Sequence, residues 1–232
     1  MSENQKIPWK RIGIEASAIV ASILLAFAID AWWESRNAAM QREVYLSGLA
    51  RDFDQMLERV EESHAWSSRG AKWGRQLSIL LQNGSRIDPE LARESLFHLA
   101  SFEVFSPSVG AYQALLSTGN LYIFENDELQ LELRDFFGSF DDVRVSERLL
   151  LDSIQKFAES PTFGQLAGWQ RMGRGGIPVA GDFPVDLWAG SDEFMNAVGF
   201  LTTRHNDVLE DYEYLRTRIR NISAGIAREL SD

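Results

Sequence analysis

The stretch 12–33, IGIEASAIVASILLAFAIDAWW, constrains this chain more than any other: it is apolar on nearly every face, bracketed by Glu15 and Asp30, and closed by two tryptophans. A helix needs about 20 apolar residues to cross the hydrocarbon of a bilayer, and the run between Glu15 and Asp30 is shorter than that. The flanks extend it. A helix rising about 1.5 Å per residue sets Trp9 roughly 36 Å from Trp32 and Trp33, the separation of the two aromatic belts of a membrane. Glu15 and Asp30 then fall near the headgroups. Pro8 suits a first helical turn, where its missing N–H costs little. The expectation is an uncleaved transmembrane anchor over 12–33, preceded by a tail at 1–11.

Two other readings compete for this stretch. Lys6, Lys10 and Arg11 form a basic leader and Ala26-Phe27-Ala28 a small-residue cleavage site, as in a removed signal peptide. Glu15 inside the apolar core, and a helical pattern that runs past the site, oppose it. A buried amphipathic helix is opposed by the lack of a polar face. Basic residues set the orientation: Lys6, Lys10 and Arg11 before the span against Arg36 and Arg42 after it place the N-terminus in the cytoplasm and residues 34–232, in a bacterium, in the periplasm.

Those residues read as one acidic helical domain. The chain carries 23 basic and 34 acidic side chains, a net charge of −11, and residues 1–36 hold four of each sign, so the imbalance lies beyond the anchor. Such a surface is repelled by nucleic acid and by anionic lipid, and neither is an expected ligand. A composition 45% hydrophobic and 11% aromatic is far from the disordered range. The chain has no cysteine, so no disulfide supports it.

Helical periodicity carries the fold class, all-α. After Trp33 no proline interrupts the pattern, and Leu46, Leu49, Phe53, Met56 and Val60 alternate three and four apart, continuing through Trp66, Trp73, Leu77, Leu80 and Leu81 to a stop at Asn83-Gly84-Ser85. This predicts one long helix rising from the membrane into a bundle. Asp88-Pro89-Glu90 opens a second helix, Ser108 is placed to cap a third that Gly119 ends, and Asp127 begins a run to Ser160 that Gly138 kinks and whose seam fails only at Glu147. In the last helix Phe194, Val198, Leu201, His205, Val208, Tyr212, Leu215, Ile219, Ile222 and Ile226 keep the seam unbroken. Between them, 161–190 has neither period and clusters Gly and Pro, the mark of a functional or irregular loop. Trp169, Arg171, Arg174 and Trp188 are its candidate partner-binding residues, and Arg171 and Arg174 its expected first sites of proteolysis.

Chemistry is thinly signalled. Ala18, Ser22, Ala26 and Asp30 recur every four residues, a small-residue stripe that lets spans pack closely in lipid. Glu15 and Asp30 are plainly explained as interfacial groups; an acid within a packed span also resembles the arrangement in proton-driven complexes. His205 on the seam reads as a satisfied core histidine. Asp182, Asp186, Asp192 and Glu193 fit no calcium loop, Gly173-Arg174-Gly175-Gly176 lacks the rest of a phosphate loop, and no catalytic or metal spacing is present. No cofactor is expected.

The anchor IGIEASAIVASILLAFAIDAWWESR with REVYLSGLARDFD, and later AYQALLSTGNLYIFENDELQLELRDFF, resembles a family of uncharacterised bacterial membrane proteins with one N-terminal span ending in a polar-Trp element, a Tyr-Leu-x-x-Leu-x-x-Asp helix and a Ser-x-Gly-Asn-Leu turn. Asp30 stands where Asn is more usual in that family. The resemblance implies architecture and no activity. The expected function is a structural or accessory subunit, with partners among the bilayer, other integral membrane subunits and copies of itself; energy-converting complexes are one class of host. The alternative is a periplasmic ligand-binding module or an enzyme using the 161–190 loop. A one-component sensor is disfavoured, because about eleven cytoplasmic residues hold no output domain.

Overall fold

The structure is a computed structural model that describes residues 9–84, 86–119, 124, 126–136, 138–160 and 190–231, with the backbone alone at 9–12 and 16. Six helices account for nearly all of them: α1 Trp9–Gln82, α2 Pro89–Leu99, α3 Gly110–Thr118, α4 Asp127–Phe136, α5 Gly138–Glu159 and α6 Asp192–Ser231. Among the described residues there is no strand. The 161–190 loop, with Trp169, Arg171, Arg174 and Trp188, lies outside the described residues except for Gly190.

α1 is 74 residues long and unbroken, roughly 110 Å of helix at 1.5 Å per residue. Its N-terminal part stands bare; from Leu46 onward one side is buried. α6 lies along this upper part in the opposite sense, as the pairs Arg42–Glu229, His64–Glu213 and Gly70–His205 show. α5 packs on α6 as well, through Glu147 on Tyr212 and Phe157 on Phe194. The expected seam of α6 is buried at every position, and so is that of α1 from Leu46 to Val60.

Above Val60 the α1 reading needs correction. Trp66, Trp73 and Leu80 are only half-buried, while Leu77 and Leu81 are buried as expected; between Val60 and Leu77 the buried line is instead Ser63, Ser67, Gly70, Ala71 and Gly74. Small side chains win because α1 and α6 approach too closely for large ones: a Cβ at Gly70 would stand 2.7 Å from His205 Nδ1, and one at Gly74 would run into Thr202 Oγ1. This layer divides the core. Below it, Leu49, Phe53, Met56, Tyr112, Phe136 and Leu215 belong to the larger apolar cluster; above it, Leu77, Leu96, Leu99, Phe194 and Val198 belong to the smaller.

The helix starts follow local chemistry in two cases and tertiary chemistry in a third. Asp88 accepts from the Glu90 and Leu91 N–H groups, and Asn126 Oδ1 from those of Glu128 and Leu129, so both act as N-caps. Ser108 does not cap α3. Its N-cap, Val109, makes no side-chain bond; the Asp52 carboxylate of α1 accepts the Ala111 N–H at 2.7 Å, and Ser108 donates its hydroxyl to the same carboxylate. Gly119, with φ of 68°, ends α3 in the left-handed conformation as expected.

The run expected from Asp127 to Ser160 resolves into two helices, α4 ending at Phe136 and α5 beginning at Gly138. Arg218 of α6 faces the junction. Its guanidinium donates to the Glu132 and Asp135 carbonyls at the end of α4 and to Ser139 Oγ at the start of α5. A cation there complements the carbonyl end of α4.

Candidate functional site

Two regions stand out from ordinary packing: the bare N-terminal part of α1 and the polar layer inside the bundle. In the first, every residue from 17 to 41 is exposed, including Ile23, Leu24, Leu25 and Phe27, and Leu46 is the first buried one. An 18-residue window here has mean hydropathy 1.9 with none of it buried, and α1 is the one helix among the described residues long and apolar enough to cross a membrane. Exposed apolar surface on this scale is not stable against water in an isolated soluble chain.

The sequence-derived residues fall on this segment as follows. Ala18, Ser22, Ala26 and Asp30 are exposed along one side of α1. The Ser22 hydroxyl donates to the Ala18 carbonyl at 2.7 Å, so it is satisfied inside its own helix without an outside partner. Trp32 and Trp33 are exposed with ring centroids 6.5 Å apart, and the Arg36 guanidinium lies 5.8 Å from the Trp32 ring, placing a cation beside the amphipathic pair. The Trp9 backbone begins α1; its side chain lies outside the described residues.

Where α1 meets the bundle, an ionic knot replaces apolar packing. Arg42 pairs with Glu229 near the end of α6, and the other oxygen of Glu229 accepts the Asn126 N–H at 2.6 Å. Three elements thus converge on one nearly buried carboxylate at the point where the bare helix becomes a bundled one.

The second region contains two buried titratable centres on α6. The Tyr212 phenol donates to Glu147 Oε1 at 2.5 Å, with the Glu103 carbonyl at 3.2 Å as a second acceptor, and the same carboxylate oxygen takes the Phe105 N–H at 2.7 Å. Burial pushes the Glu147 carboxyl above its ordinary value, opposed by the bonds from Tyr212 and Phe105 and by the Arg144 charge. The Tyr212 phenol is pushed up as well, by burial first and then by its bond to Glu147. Two turns away, His205 is fully buried and donates Nε2–H to the Leu99 carbonyl at 2.8 Å, which leaves Nδ1 as a neutral acceptor with no partner among the described residues. Burial holds its imidazole below the ordinary range, against the pull of the Leu99 carbonyl.

These centres join elements of the bundle to one another. No nucleophile stands beside Glu147 or His205 in the bonds they make, and among the described residues no three His, Asp or Glu side chains converge on a metal position. An open groove of about 400 Å³ between α1 and α6 is lined by Lys72, Arg75, Gln76, Ile79, Asn206 and Leu209, among others.

Comparison with protein-family models, with curated proteins and with solved structures finds no match. The described residues show an apolar N-terminal helix and an all-helical fold, and no match assigns the chain to a family.

Sequence reasoning registers Glu147 only as a gap in the seam and Asp52 only as the Asp of the Tyr-Leu-x-x-Leu-x-x-Asp pattern, and passes over Glu229. For Glu147 a signal existed: a carboxylate occupies the seam between Val143 and Leu150, where a charge is tolerated only if hydrogen-bonded. Asp52 and Glu229 act on chain 59 and 103 residues away, at Ala111 and Asn126, and no local pattern announces that.

Proposed function

We propose that the protein is a single-pass, membrane-anchored accessory subunit of the bacterial inner membrane, with residues 1–11 in the cytoplasm, 12–33 in the bilayer and an acidic helical domain in the periplasm. It acts by binding, through its span and domain, within a larger membrane complex or an oligomer, and not by catalysis. The observation that carries this reading is the continuity of α1: a fully exposed apolar segment passes without a break into a helix whose other half is the spine of the bundle. A cleaved leader has no need of such continuity. A rigid rod fixes the height and orientation of the domain over the membrane, as a scaffold requires. The basic residues before the span support the orientation, and the Trp32, Trp33 and Arg36 group supports an interface at that level.

Recognition within the bilayer is assigned to the stripe Ala18, Ser22, Ala26 and Asp30, because spans associate through close packing and modest hydrogen bonds where no hydrophobic gain is available. Ser22→Leu and Ala26→Leu are expected to release the protein from what co-purifies with it in mild detergent, while Phe27→Leu on the lipid-facing side leaves the complex intact. Equal retention of all three variants would contradict recognition by the span.

A further inference from the structure

The bare part of α1 extends beyond the membrane. At about 1.5 Å per residue, Met40 and Val44 stand roughly 10 and 16 Å past Trp33, beyond a headgroup layer of about 5–7 Å. Both are large apolar side chains in the open, Met40 49% and Val44 71% exposed. Lipid does not reach them, and no described part of the chain covers them.

Their direction on the helix is informative. With 3.6 residues per turn, Asn37, Met40 and Val44 lie about 180° round α1 from the core residues Leu46, Leu49 and Phe53, so most of the bundle hangs on the far side; α3 reaches α1 one turn above Val44, where a Cβ on Gly48 would stand 2.9 Å from Ala111 Cβ. The stripe Ala18, Ser22, Ala26 and Asp30 leads into the same side from below. Above Val44 it turns polar, with Ser47, Arg51, Gln55 and Glu58 all exposed. The spacing four and three from Trp33 through Asn37 and Met40 to Val44 is that of a heptad seam, with Asn37 and Val44 at its first position and Met40 at its fourth. A β-branched residue and a single Asn at that first position favour two parallel strands, the Asn fixing their register.

We infer that this outer face of α1 docks a second copy of the chain, forming a short parallel two-helix stalk between the membrane and two outward-facing bundles. The inference deepens the anchored-subunit reading and rests on it for the parallel arrangement. Both anchors start the two helices at the same height, so like residues meet across the two-fold axis: Asn37 with Asn37, Met40 with Met40 and Val44 with Val44.

The natural absence of cysteine gives a clean test. Full-length Val44→Cys and Ala38→Cys proteins are labelled in native membranes with a benzophenone maleimide and irradiated; Ala38 lies about 130° round the helix from the seam. The expected result is an adduct at twice the chain mass from position 44, mapping to the stalk of the second copy, and none at that mass from position 38. An adduct with a different protein at position 44, no adduct, or equal yields at both positions would overturn it. Alkaline extraction of the same membranes separates the two ideas. Retention without the position 44 adduct keeps the anchor and removes the dimer, whereas release with the adduct intact keeps the dimer and removes the anchor.

Discussion

His205 lies against Gly70 so closely that a Cβ added to the glycine would stand 2.5 Å from Nε2 and 2.7 Å from Nδ1. The imidazole cannot retreat without giving up its bond to the Leu99 carbonyl. Gly70→Ala gains about 1 kcal/mol of helix propensity but overpacks a hydrogen-bonded ring, a cost of about 1–3 kcal/mol. The steric cost is expected to win, with a net loss of up to about 2 kcal/mol by denaturant unfolding of the full chain in micelles. Gly199→Ala, in α6 with nothing within 4 Å of the added methyl, is expected to stabilise by about 0.5–1 kcal/mol. If both glycines respond alike, the close approach of α1 and α6 at His205 is not real.

Glu147 and His205 give stability opposite dependences on pH. The folded carboxyl of Glu147 titrates above its ordinary 4.5, so its contribution is fully present below that value and is lost as pH rises through the raised one. The folded imidazole of His205 titrates below its ordinary 6.5, so its contribution is present above 6.5 and is lost as pH falls towards the lowered value. Unfolding midpoints across pH 4–8 are therefore expected to show a smaller loss on the alkaline side for Glu147→Gln, and a smaller loss on the acid side for His205→Gln, each relative to the natural protein. Parallel curves for all three would mean that neither group is buried as described.

Asp52, and not Ser108, holds the start of α3. Asp52→Ala removes the acceptor of the Ala111 N–H and is expected to cost about 1–2 kcal/mol, in the range for loss of a helix cap. Ser108→Ala, which removes one 3.4 Å bond to that carboxylate, is expected to change stability by less than about 0.5 kcal/mol. The reverse order in paired unfolding curves would restore Ser108 as the cap.

The pattern of success and failure in reading the sequence is physical. The α6 seam, the Asp88 cap and the Gly119 stop were legible because each depends on neighbours within a few residues. The upper half of α1 was misread where Trp66 and Trp73 were given the buried face on hydrophobicity alone. At the His205 layer smallness decides, and Ser63, Ser67, Gly70 and Gly74 carry that signal at helical spacing. The α4–α5 junction is faced by Arg218, 83 residues from the Asp135 carbonyl it bonds, a contact no local pattern announces, and Gly138 alone reads only as a kink. For the candidate site, the exposed apolar stretch was legible, while the Arg42–Glu229 knot that joins it to the bundle was not.

The central claim is that α1 remains a single rod from membrane to bundle in the mature protein. Intact-mass and N-terminal peptide spectrometry of the protein extracted from native membranes tests it most directly. Residues 1–28 are expected to be present in the membrane-embedded form. A mature N-terminus at Ile29 would contradict the account, because the anchor and its stripe would then be a discarded leader.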